Sequence, residues 1–401
     1  MAIPPIVALE LGTSKIIALV GEMREDGHVM ITGMGEHPSS GIRKGEVIDL
    51  ENVAICARAV LQAAEESGKV AIRGVHLAIS GGHIQNVINS GVVPVFGSNG
   101  EITEEDVEQV MDVAKAFHLA PDRDILHTIC QDFCIDDEQR VIRPEGMIGA
   151  KLSLNMLMIH GIRGRIHNSI KAVQEVPMAV QDVAFSGLCS ALSVLTAEQK
   201  KSGVIVIDLG GGTTDYLVYA NGIVATAGAF GVGGEHVTND IALAFNIPMT
   251  RAEHLKRESG NAGINVAGTP QRVSLPPEVG FPGKTISLKS LHTVINARME
   301  EILDTIYRRI GETVLHHVGA GVVLSGGGAH LNGVTELTEK IFGLPCIIGW
   351  PRNMSGLTTI TSGPEYATCS GLIQYGFMTS AKQERKPSFS NWLKGVLGKQ
   401  P

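Results

Sequence analysis

Residues Val204–Tyr219, which read VIVIDLGGGTTDYLVY, carry the clearest indication of the fold. An apolar, strand-like run carries the carboxylate Asp208 near its end, a glycine turn with threonines follows, and strand-forming residues then resume. In P-loop and dinucleotide-binding motifs a helix follows the glycines, whereas here a second strand does, so the pattern predicts a β-hairpin. Glycines let a ligand approach the backbone, and the hydroxyls and N–H groups of such a turn can bind phosphate oxygens. An ordinary tight turn is the alternative.

The same pattern occurs about half the chain earlier. Ile6–Val20 reads IVALELGTSKIIALV, with Glu10 in the place of the aspartate and a glycine turn that again runs into strand-like residues. For Gly12 alone, an ordinary tight turn explains the sequence equally well. The pair of motifs indicates that one α/β lobe has been duplicated.

A third glycine cluster lies at 321–333, which reads GVVLSGGGAHLNG. The pattern predicts a strand at Val322–Ser325, a glycine turn at Gly326–Gly328 and a helix at Val334–Phe342. A helix that follows such a turn places free backbone N–H groups near a ligand. The cluster is weak evidence alone and gains weight as the third of a set.

The remaining sequence alternates strand and helix patterns in both halves, which favours an α/β protein. Acidic residues after the N-cap candidate Thr103 predict a helix at Glu104–His118. The other predicted elements are strands at 125–135 and 152–159, helices at 168–183, 187–195, 250–258 and 291–314, and a loop-rich stretch at 260–284.

Size and charge narrow the functional class. The chain has 401 residues, 44% of them hydrophobic, which fits about two to four subdomains. Its 33 Lys and Arg against 41 Asp and Glu give a net charge of −8, which argues against nucleic acid as a partner. From Thr379 onward basic residues outnumber acidic ones, which points to an anionic surface. The six cysteines are scattered through apolar stretches, as is typical of reduced core thiols.

Together the three motifs resemble those of the superfamily that contains actin, sugar kinases and heat-shock chaperones. VALELGTSK and VIDLGGGTTD resemble its two phosphate loops, and VVLSGGGAHLNG resembles its adenosine loop. Within that superfamily, nearly the whole chain resembles the FtsA family of bacterial cell-division proteins. The stretches that carry this likeness include GIRKGEVIDLENV at 41–53, VHLAISGGHI at 75–84, EITEEDVEQV at 101–110 and SGLTTITSGPEYATCSGLIQYG at 355–376.

The resemblance implies an actin-like α/β fold, in which two ribonuclease-H-like lobes enclose a nucleotide cleft and each lobe carries an inserted subdomain. The implied parts are a first-lobe core at 1–82, 162–199 and 350–378, an inserted subdomain at 83–161, a second-lobe core at 200–236 and 300–349, a smaller subdomain at 237–299, a connector at 379–387 and an amphipathic helix at 388–399.

The resemblance also implies ATP with Mg²⁺ in the cleft. Glu10 and Asp208 would hold Mg²⁺ through waters, although superfamily members usually have Asp where Glu10 stands. The residues that would contact the phosphates are Gly12, Thr13, Ser14 and Lys15 from one side and Gly210, Gly211, Gly212, Thr213 and Thr214 from the other. Those that would line the ribose and adenine side are Gly233, Gly234, Glu235, Glu253 and Lys256, with Gly326, Gly327 and Gly328 closing over the nucleotide.

Hydrolysis is expected to be weak or slow. Many ATPases of the superfamily carry Glu or Gln at the start of a first-lobe helix to orient the attacking water. Here Ser186-Gly187 stands at that place, and a hydroxyl is a poor base for water. We therefore assign no catalytic residue and expect at most a weak ATPase.

The C-terminal residues form an amphipathic pattern. Phe389, Trp392, Leu393, Val396 and Leu397 fall on one helical face, Lys394 lies beside it, and Ser388 can cap the helix. A short basic helix of this kind is typical of one that lies in a bilayer interface, and it is too short to span. Packing on the protein's own body or in a partner's groove are the alternatives. The resemblance favours the membrane, because FtsA-like proteins end in a membrane-targeting helix.

The resemblance implies the partners and the location. The C-terminal tail of the division tubulin FtsZ would bind the smaller subdomain of the second lobe, where Lys289 and Arg298 are the candidates. Other implied partners are further division proteins, an anionic membrane surface and the chain itself, in filaments that the inserted subdomain helps to form. The implied location is the cytoplasmic face of the cell membrane at the division site, as a peripheral protein.

Two other functions remain open at this point. A pilus-assembly actin-like protein has a similar insertion but lacks this C-terminal helix. A sugar or small-acid kinase of the same superfamily needs a base for the acceptor hydroxyl, and no clear kinase motif supplies one. The C-terminal helix is therefore the feature that best separates these alternatives from a membrane-tethered scaffold.

Overall fold

A computed structural model describes residues 4–25, 28–97, 99–264, 271–277, 281–357 and 363–383. The predicted amphipathic helix at 388–399, with Phe389, Trp392, Leu393, Lys394, Val396 and Leu397, lies outside the described residues. The strands are β1 Ile6–Leu11, β2 Lys15–Met23, β3 Val29–Pro38, β4 Ile42–Arg43, β5 Glu46–Val47, β6 Gly74–Ile79, β7 Gln85–Pro94, β8 Arg123–Ile135, β9 Gln139–Val141, β10 Lys151–Ile162, β11 Ala179–Phe185, β12 Val204–Leu209, β13 Thr214–Ala220, β14 Ile223–Phe230, β15 Arg272–Leu275, β16 Lys284–Ser287, β17 Val322–Ser325, β18 Cys346–Ile348 and β19 Met354–Gly356.

The helices differ in length and role. Long helices cover the sheets, and two short 3₁₀ turns, Gly327–His330 and Pro364–Tyr366, face the space between the lobes. The α-helices are α1 Leu50–Gly68, α2 Glu104–Lys115, α3 Arg163–Gln174, α4 Ser186–Val194, α5 Ala197–Ser202, α6 Gly234–Phe245, α7 Met249–Ser259, α8 Leu288–Ile310, α9 Glu312–Leu315, α10 Val334–Phe342 and α11 Ala367–Gln383.

Two sheets that share a five-strand topology form the two lobes, and the first has a sixth strand, β19, at its edge. The first has the strand order β11-β6-β1-β2-β3-β19 and the second has the order β14-β13-β12-β17-β18. In each sheet the first three strands in chain order form an antiparallel meander. Two later strands lie on the other side of the first strand and run parallel to it. The structure confirms the predicted duplication, and both glycine turns connect antiparallel strands, as the absence of a following helix predicted.

The first lobe is interrupted by a separate small sheet. Its order is β7-β10-β8-β9, and α2 packs on one face, where Val107, Val110 and Ala114 meet the strand residues Val93 and Leu154 in a core of their own. Thr103 caps α2 as predicted, because its hydroxyl accepts from the Asp106 N–H while the Asp106 carboxylate accepts from the Thr103 N–H. The chain leaves the first lobe after β6 and re-enters it at α3.

The second lobe carries α6, α7, α8 and the β15–β16 hairpin beside its sheet. The buried face of α8 includes Leu291, Ile295, Met299, Ile302 and Ile306, whose spacing of three and four residues gives one helical stripe. This stripe belongs to the same core as the buried residues of β12 and β13, so the small subdomain is packed onto its lobe.

Three sequence expectations differ from the structure. The predicted helix 168–183 ends at Gln174, and residues 179–183 belong to β11, because Pro177 cannot continue a helix and the β-branched residues that follow suit a strand. The predicted helix 291–314 is divided at Gly311, which has φ +79°. Helix α11 extends to Gln383, so the first residues of the expected connector 379–387 are helical.

Candidate functional site

A cavity of about 610 Å³ opens between the two lobes. It lies where β1–β2, β12–β13, the N-terminus of α6 and the two 3₁₀ turns, one after β17 and one before α11, converge. Most of the residues that the sequence singled out line it. They are Glu10, Gly12, Thr13, Ser14, Lys15, Asp208, Gly210, Gly211, Gly212, Thr213, Gly233, Gly234, Glu253, Lys256, Gly326, Gly327 and Gly328.

The tips of the two glycine hairpins face each other at close range. A Cβ added to Gly212 would lie 2.8 Å from the Cβ of Thr13, and one added to Gly211 would lie 3.2 Å from the Cβ of Ser14. Glycine is therefore required at 212 for the two tips to approach. The arrangement brings hydroxyls and backbone N–H groups from both lobes to one place, which suits a polyphosphate.

Two carboxylates stand at the ends of equivalent strands, Glu10 on β1 and Asp208 on β12. Burial and the neighbouring charge of Asp208 raise the pKa of Glu10 to about 8. Burial also raises the pKa of Asp208, although hydrogen bonds from Ser190, Thr368 and Ser325 oppose this. The raised pKa values mean that the surrounding protein disfavours the charged forms of these carboxyl groups, so a bound cation would favour their ionisation, and a hard cation that takes oxygen ligands fits there.

The geometry favours a cation held through water. In the described part of the chain, no three His, Cys, Asp or Glu side chains lie close enough to hold a metal ion directly. Glu10 and Asp208 come from opposite lobes and both line the cavity. Mg²⁺ usually keeps several of its waters and uses one or two carboxylates, so these two acids could hold it through water.

A third carboxylate, Asp215, was not identified from the sequence. It lies opposite Asp208 in the β12–β13 pair and is 4% exposed. The hydroxyl of Ser80, from the first lobe, donates to its two carboxylate oxygens at 2.7 and 2.8 Å. Burial and the charge of Asp208 raise the pKa of Asp215 well above its ordinary value. The acid that ends the GGGTTD motif thus joins the lobes, a role that needs the tertiary structure to be seen.

Lys15 is held in place at the cavity wall by two residues that the sequence did not suggest. Its Nζ lies 3.0 Å from the carboxylate of Glu36 on β3 and 4.5 Å from the ring centroid of Tyr366. The Tyr366 hydroxyl donates to the same Glu36 carboxylate at 2.9 Å. The pairing of β3 with β2 in the meander could have suggested Glu36 as a neighbour of Lys15. Tyr366 could not be suggested in this way, because it is distant from Lys15 in the sequence.

The part of the cavity wall formed by α6, α7 and α8 combines polar and apolar side chains. Lys256 donates to the Gly234 carbonyl at 3.1 Å and the Thr238 hydroxyl at 2.9 Å, and pairs with Glu253 at 2.6 Å. Burial lowers the pKa of Lys256. Val237, Met299 and Ile302 supply apolar surface that the sequence did not identify. Such a mixed wall suits a nucleoside, with the flat base on apolar side chains.

Two predicted contacts lie outside the cavity wall. Thr214 is fully buried and its hydroxyl donates to the Val232 carbonyl at 2.8 Å, so it holds the loop from behind. Glu235 is not part of the wall either, although its N–H donates to the Gly211 carbonyl at 2.8 Å and thus supports the second hairpin. Both residues act on the site through the backbone of the loop rather than by direct contact.

The remaining candidates lie away from the cavity. Ser186 is the first residue of α4, is 5% exposed and does not line the cavity. Lys289 is exposed on α8. Arg298, about two and a half turns further on, donates to both carboxylate oxygens of Asp240 at 2.6 and 3.1 Å and to Glu301 at 2.5 Å. The structure therefore gives Arg298 partners within the chain and leaves Lys289 at the surface.

Comparison with family models and curated proteins gives consistent matches. Residues 205–371 match the model described as "Cell division protein FtsA", and residues 81–160 match "SHS2 domain inserted in FTSA". Cell division protein FtsA of Escherichia coli K12 is 36% identical over 97% of this chain and 96% of its own length. The protein of the same description from Pseudomonas aeruginosa PAO1 is 34% identical over 92% of this chain and 89% of its own.

Solved structures with the same fold are more distant in sequence. The PilM–PilN type IV pilus biogenesis complex contains a chain with a TM-score of 0.63 and 16% identity, over 92% of this chain and 98% of that one. MreB5 of Spiroplasma citri bound to AMPPNP gives a TM-score of 0.53 and 17% identity, over 96% and 98%. These likenesses establish an actin-like fold. Among the described helices, none is both long and apolar enough to cross a membrane.

Proposed function

This chain belongs to the FtsA family of cell division proteins, and we propose that it binds ATP with Mg²⁺ between its lobes and serves as a membrane-tethered scaffold for the division ring. The observation that carries the nucleotide part is the cavity itself. Residues from two equivalent hairpins and a third glycine turn, distant in sequence, meet around one space of about 610 Å³. An MreB relative by fold is bound to AMPPNP in its solved structure.

In this proposal each wall has its own role. The tips at 12–15 and 210–213 would hold the phosphates, and the wall of Val237, Met299 and Ile302 would face the base. Glu10 and Asp208 would hold Mg²⁺, which when bound neutralises phosphate charge. Lys15 would exchange part of its interaction with Glu36 for the phosphates.

Calorimetric titration of the protein with ATP in the presence of Mg²⁺ tests the nucleotide site. Lys15→Met should weaken binding by about 2 kcal/mol, or roughly thirtyfold, because it removes a charged donor next to the phosphates. Lys115→Met, on the exposed face of α2, is the matched control and should bind as the wild type does. Equal affinity of wild type and Lys15→Met would exclude the placement of the phosphates at the first hairpin.

Slow hydrolysis is part of the same proposal. The helix start that carries Glu or Gln in many ATPases of the superfamily is Ser186 here, and this side chain is buried outside the cavity. We expect tight binding with little steady-state phosphate release. Turnover comparable to that of a chaperone ATPase would contradict this expectation and would direct attention to Asp215 as a base.

The tether part of the proposal rests on the sequence beyond Gln383 and on the family. The amphipathic stripe that contains Trp392 and Leu393 would lie in the bilayer interface, and self-assembly into filaments would multiply a weak anchor by avidity. Co-sedimentation with anionic liposomes tests it, with the full chain compared to a Trp392→Ala/Leu393→Ala double variant. Pelleting of the full chain alone supports a membrane anchor; equal behaviour of both chains rejects it.

The FtsZ tail would bind the small subdomain of the second lobe. Lys289 offers an exposed cation there, and among the described residues it forms no ion pair. Arg298 would have to share or exchange Asp240 to take part. Fluorescence anisotropy with an FtsZ tail peptide should therefore show a larger loss for Lys289→Ala than for Lys284→Ala; the reverse order would move the site toward β16.

A further inference from the structure

We propose that Ser190 and Thr368 are positioning residues for Asp208: two hydroxyls of the first lobe orient a carboxylate of the second lobe for metal–nucleotide binding. The inference rests on the proposed nucleotide site and concerns residues to which neither the sequence motifs nor the family match gives a role. Its basis is a cluster of buried polar groups at the back of the cavity.

The contacts converge on one oxygen atom. Oδ2 of Asp208 accepts from the Thr368 hydroxyl at 2.9 Å and also from the Ser190 hydroxyl. The two hydroxyl oxygens lie 2.9 Å from each other. All three side chains are buried: Ser190 is fully buried, Thr368 is 3% exposed and Asp208 is 7% exposed.

Two donors on one carboxylate oxygen fix the rotation of the group. With Oδ2 taken by the hydroxyls, Oδ1 lies beside Gly326, which lines the cavity. Glu10 and Asp215 stand nearby and repel the same carboxylate. Ser325 is a further hydrogen-bond donor to Asp208, from its own lobe, so without Ser190 and Thr368 this single donor would have to hold the carboxylate in the orientation that serves the cavity.

The donors and the acceptor belong to different lobes. Ser190 is on α4 and Thr368 is in the first turn of α11, both in the first lobe, whereas Asp208 ends β12 of the second. The contact therefore joins the two lobes. The residue after Thr368 reinforces this arrangement, because the Cys369 thiol donates to Glu10 at 3.5 Å. The first turn of α11 thus contacts both candidate metal carboxylates.

Titration with AMPPNP, a non-hydrolysed ATP analogue, tests the role. Affinity is measured once with saturating Mg²⁺ and once with EDTA, and the ratio gives the gain due to Mg²⁺. We expect Thr368→Val and Ser190→Ala each to reduce this gain about tenfold, since each removes one hydrogen bond to a charged group. Thr368→Ser, which keeps the hydroxyl, should restore it. Thr379→Val is the matched control, because Thr379 lies on the same helix and its hydroxyl bonds only the backbone of Tyr375 and Gly376.

The outcomes separate this inference from the function on which it rests. If the wild type does not bind AMPPNP, the proposed nucleotide site and the inference fall together. If the wild type shows a Mg²⁺ gain that Thr368→Val retains, only the inference is overturned. An equal loss with and without Mg²⁺ also overturns it, since that marks a purely structural role. Should Thr368→Val fail to fold, Ser190→Ala on the other helix decides by the same ratio.

Discussion

At the scale of single residues, His127 makes the fold sensitive to acid. It lies on β8 of the inserted sheet, is 8% exposed, and its Nε2 accepts a hydrogen bond from the Phe185 N–H at 2.9 Å. Burial lowers the pKa of His127 from 6.5 to about 4. Between these values the unfolded chain binds the proton and the native chain does not, so the free energy of unfolding falls as the pH is lowered from 6.5 to 4.

The measurement is urea unfolding across that pH window. One histidine with such a shift should cost about 3 kcal/mol by pH 4, and His127→Gln should remove about that much of the pH dependence while it keeps an acceptor for Phe185. His83, whose pKa burial and Arg123 also lower to about 4, should retain its own share. His118→Gln is the control, because His118 is exposed in the loop that connects α2 to β8. An unchanged slope in His127→Gln would show that the histidine is already charged in the native state.

A site residue could be predicted where the residues next to it in the sequence form a recognisable pattern. Both hairpins were identified from the sequence alone. In each of them an acid, such as Asp208, stands near the end of an apolar strand, and glycines, such as Gly210, and hydroxyl residues follow within a few residues. Glu36 and Tyr366 carry no such pattern, and their role depends on a lysine that tertiary folding brings to them. Thr214 shows a different limit, because the motif groups it with the loop residues, whereas its hydroxyl donates to the Val232 carbonyl and holds the loop from behind.

At the scale of elements, the crossing of α4 and α11 depends on small residues. A Cβ added to Gly371 would collide with the carbonyl of Cys189 and would lie 3.0 Å from its Cα. Both residues are buried in the first lobe. The two backbones therefore touch at this point, and this contact places Ser190 and Thr368 within reach of Asp208.

Gly371→Ala should destabilise the protein by about 2–3 kcal/mol, because overpacking forces the helices apart. Thermal unfolding followed by circular dichroism measures it, and the Mg²⁺ gain in AMPPNP affinity should fall with it. Gly164→Ala in α3 is the matched control: a Cβ there meets nothing within 4 Å, so the change should be neutral or stabilise by up to about 1 kcal/mol. A Gly371→Ala protein as stable as the control would mean that the helices separate without cost.

Elements were predictable where a pattern and its boundary signal agree. The N-cap candidate Thr103 with the acidic residues after it, and the glycines around Gly326, marked their elements correctly. The boundary near Pro177 was missed because the apolar residues on both of its sides continue a helical pattern, although Pro cannot donate the backbone hydrogen bond that a helix needs there. The pairing of β11 with β6 then depends on a partner roughly a hundred residues away, which no local pattern contains.

At the scale of the whole molecule, the duplication could be predicted and the contacts between the copies could not. Two similar motifs half a chain apart suffice to indicate two lobes. How the lobes meet depends on residues outside the motifs, of which Ser80 and His330 are examples: Ser80 bonds Asp215, and His330 lies 2.8 Å from Glu365 across the cleft. Such pairs have no sequence signature, because a serine or a histidine in a loop is compatible with many environments.

The Ser80–Asp215 contact gives the last prediction, which concerns closure of the lobes. Ser80 directly follows β6, from which the chain leaves the first lobe for the inserted sheet, and Asp215 lies on β13, just after the second glycine turn. Ser80→Ala leaves a buried carboxylate without that donor and so favours a more open arrangement. Part of the binding energy of the nucleotide is then used to close the lobes, and the apparent affinity falls in proportion to the loss of the closed population.

We expect ATP affinity to fall about fivefold to tenfold in Ser80→Ala, with faster amide exchange in β13 and at the start of β7 when no nucleotide is bound. Saturating ATP should restore the exchange rates, because the ligand selects the closed state. Ser90→Ala is the matched control, since the Ser90 hydroxyl donates to Asn155 at 2.6 Å within the inserted sheet and not across the lobes. If both variants bind ATP equally well, the bond between Ser80 and Asp215 does not govern closure. If both lose affinity, the inserted sheet itself, rather than this single contact, determines how the lobes close.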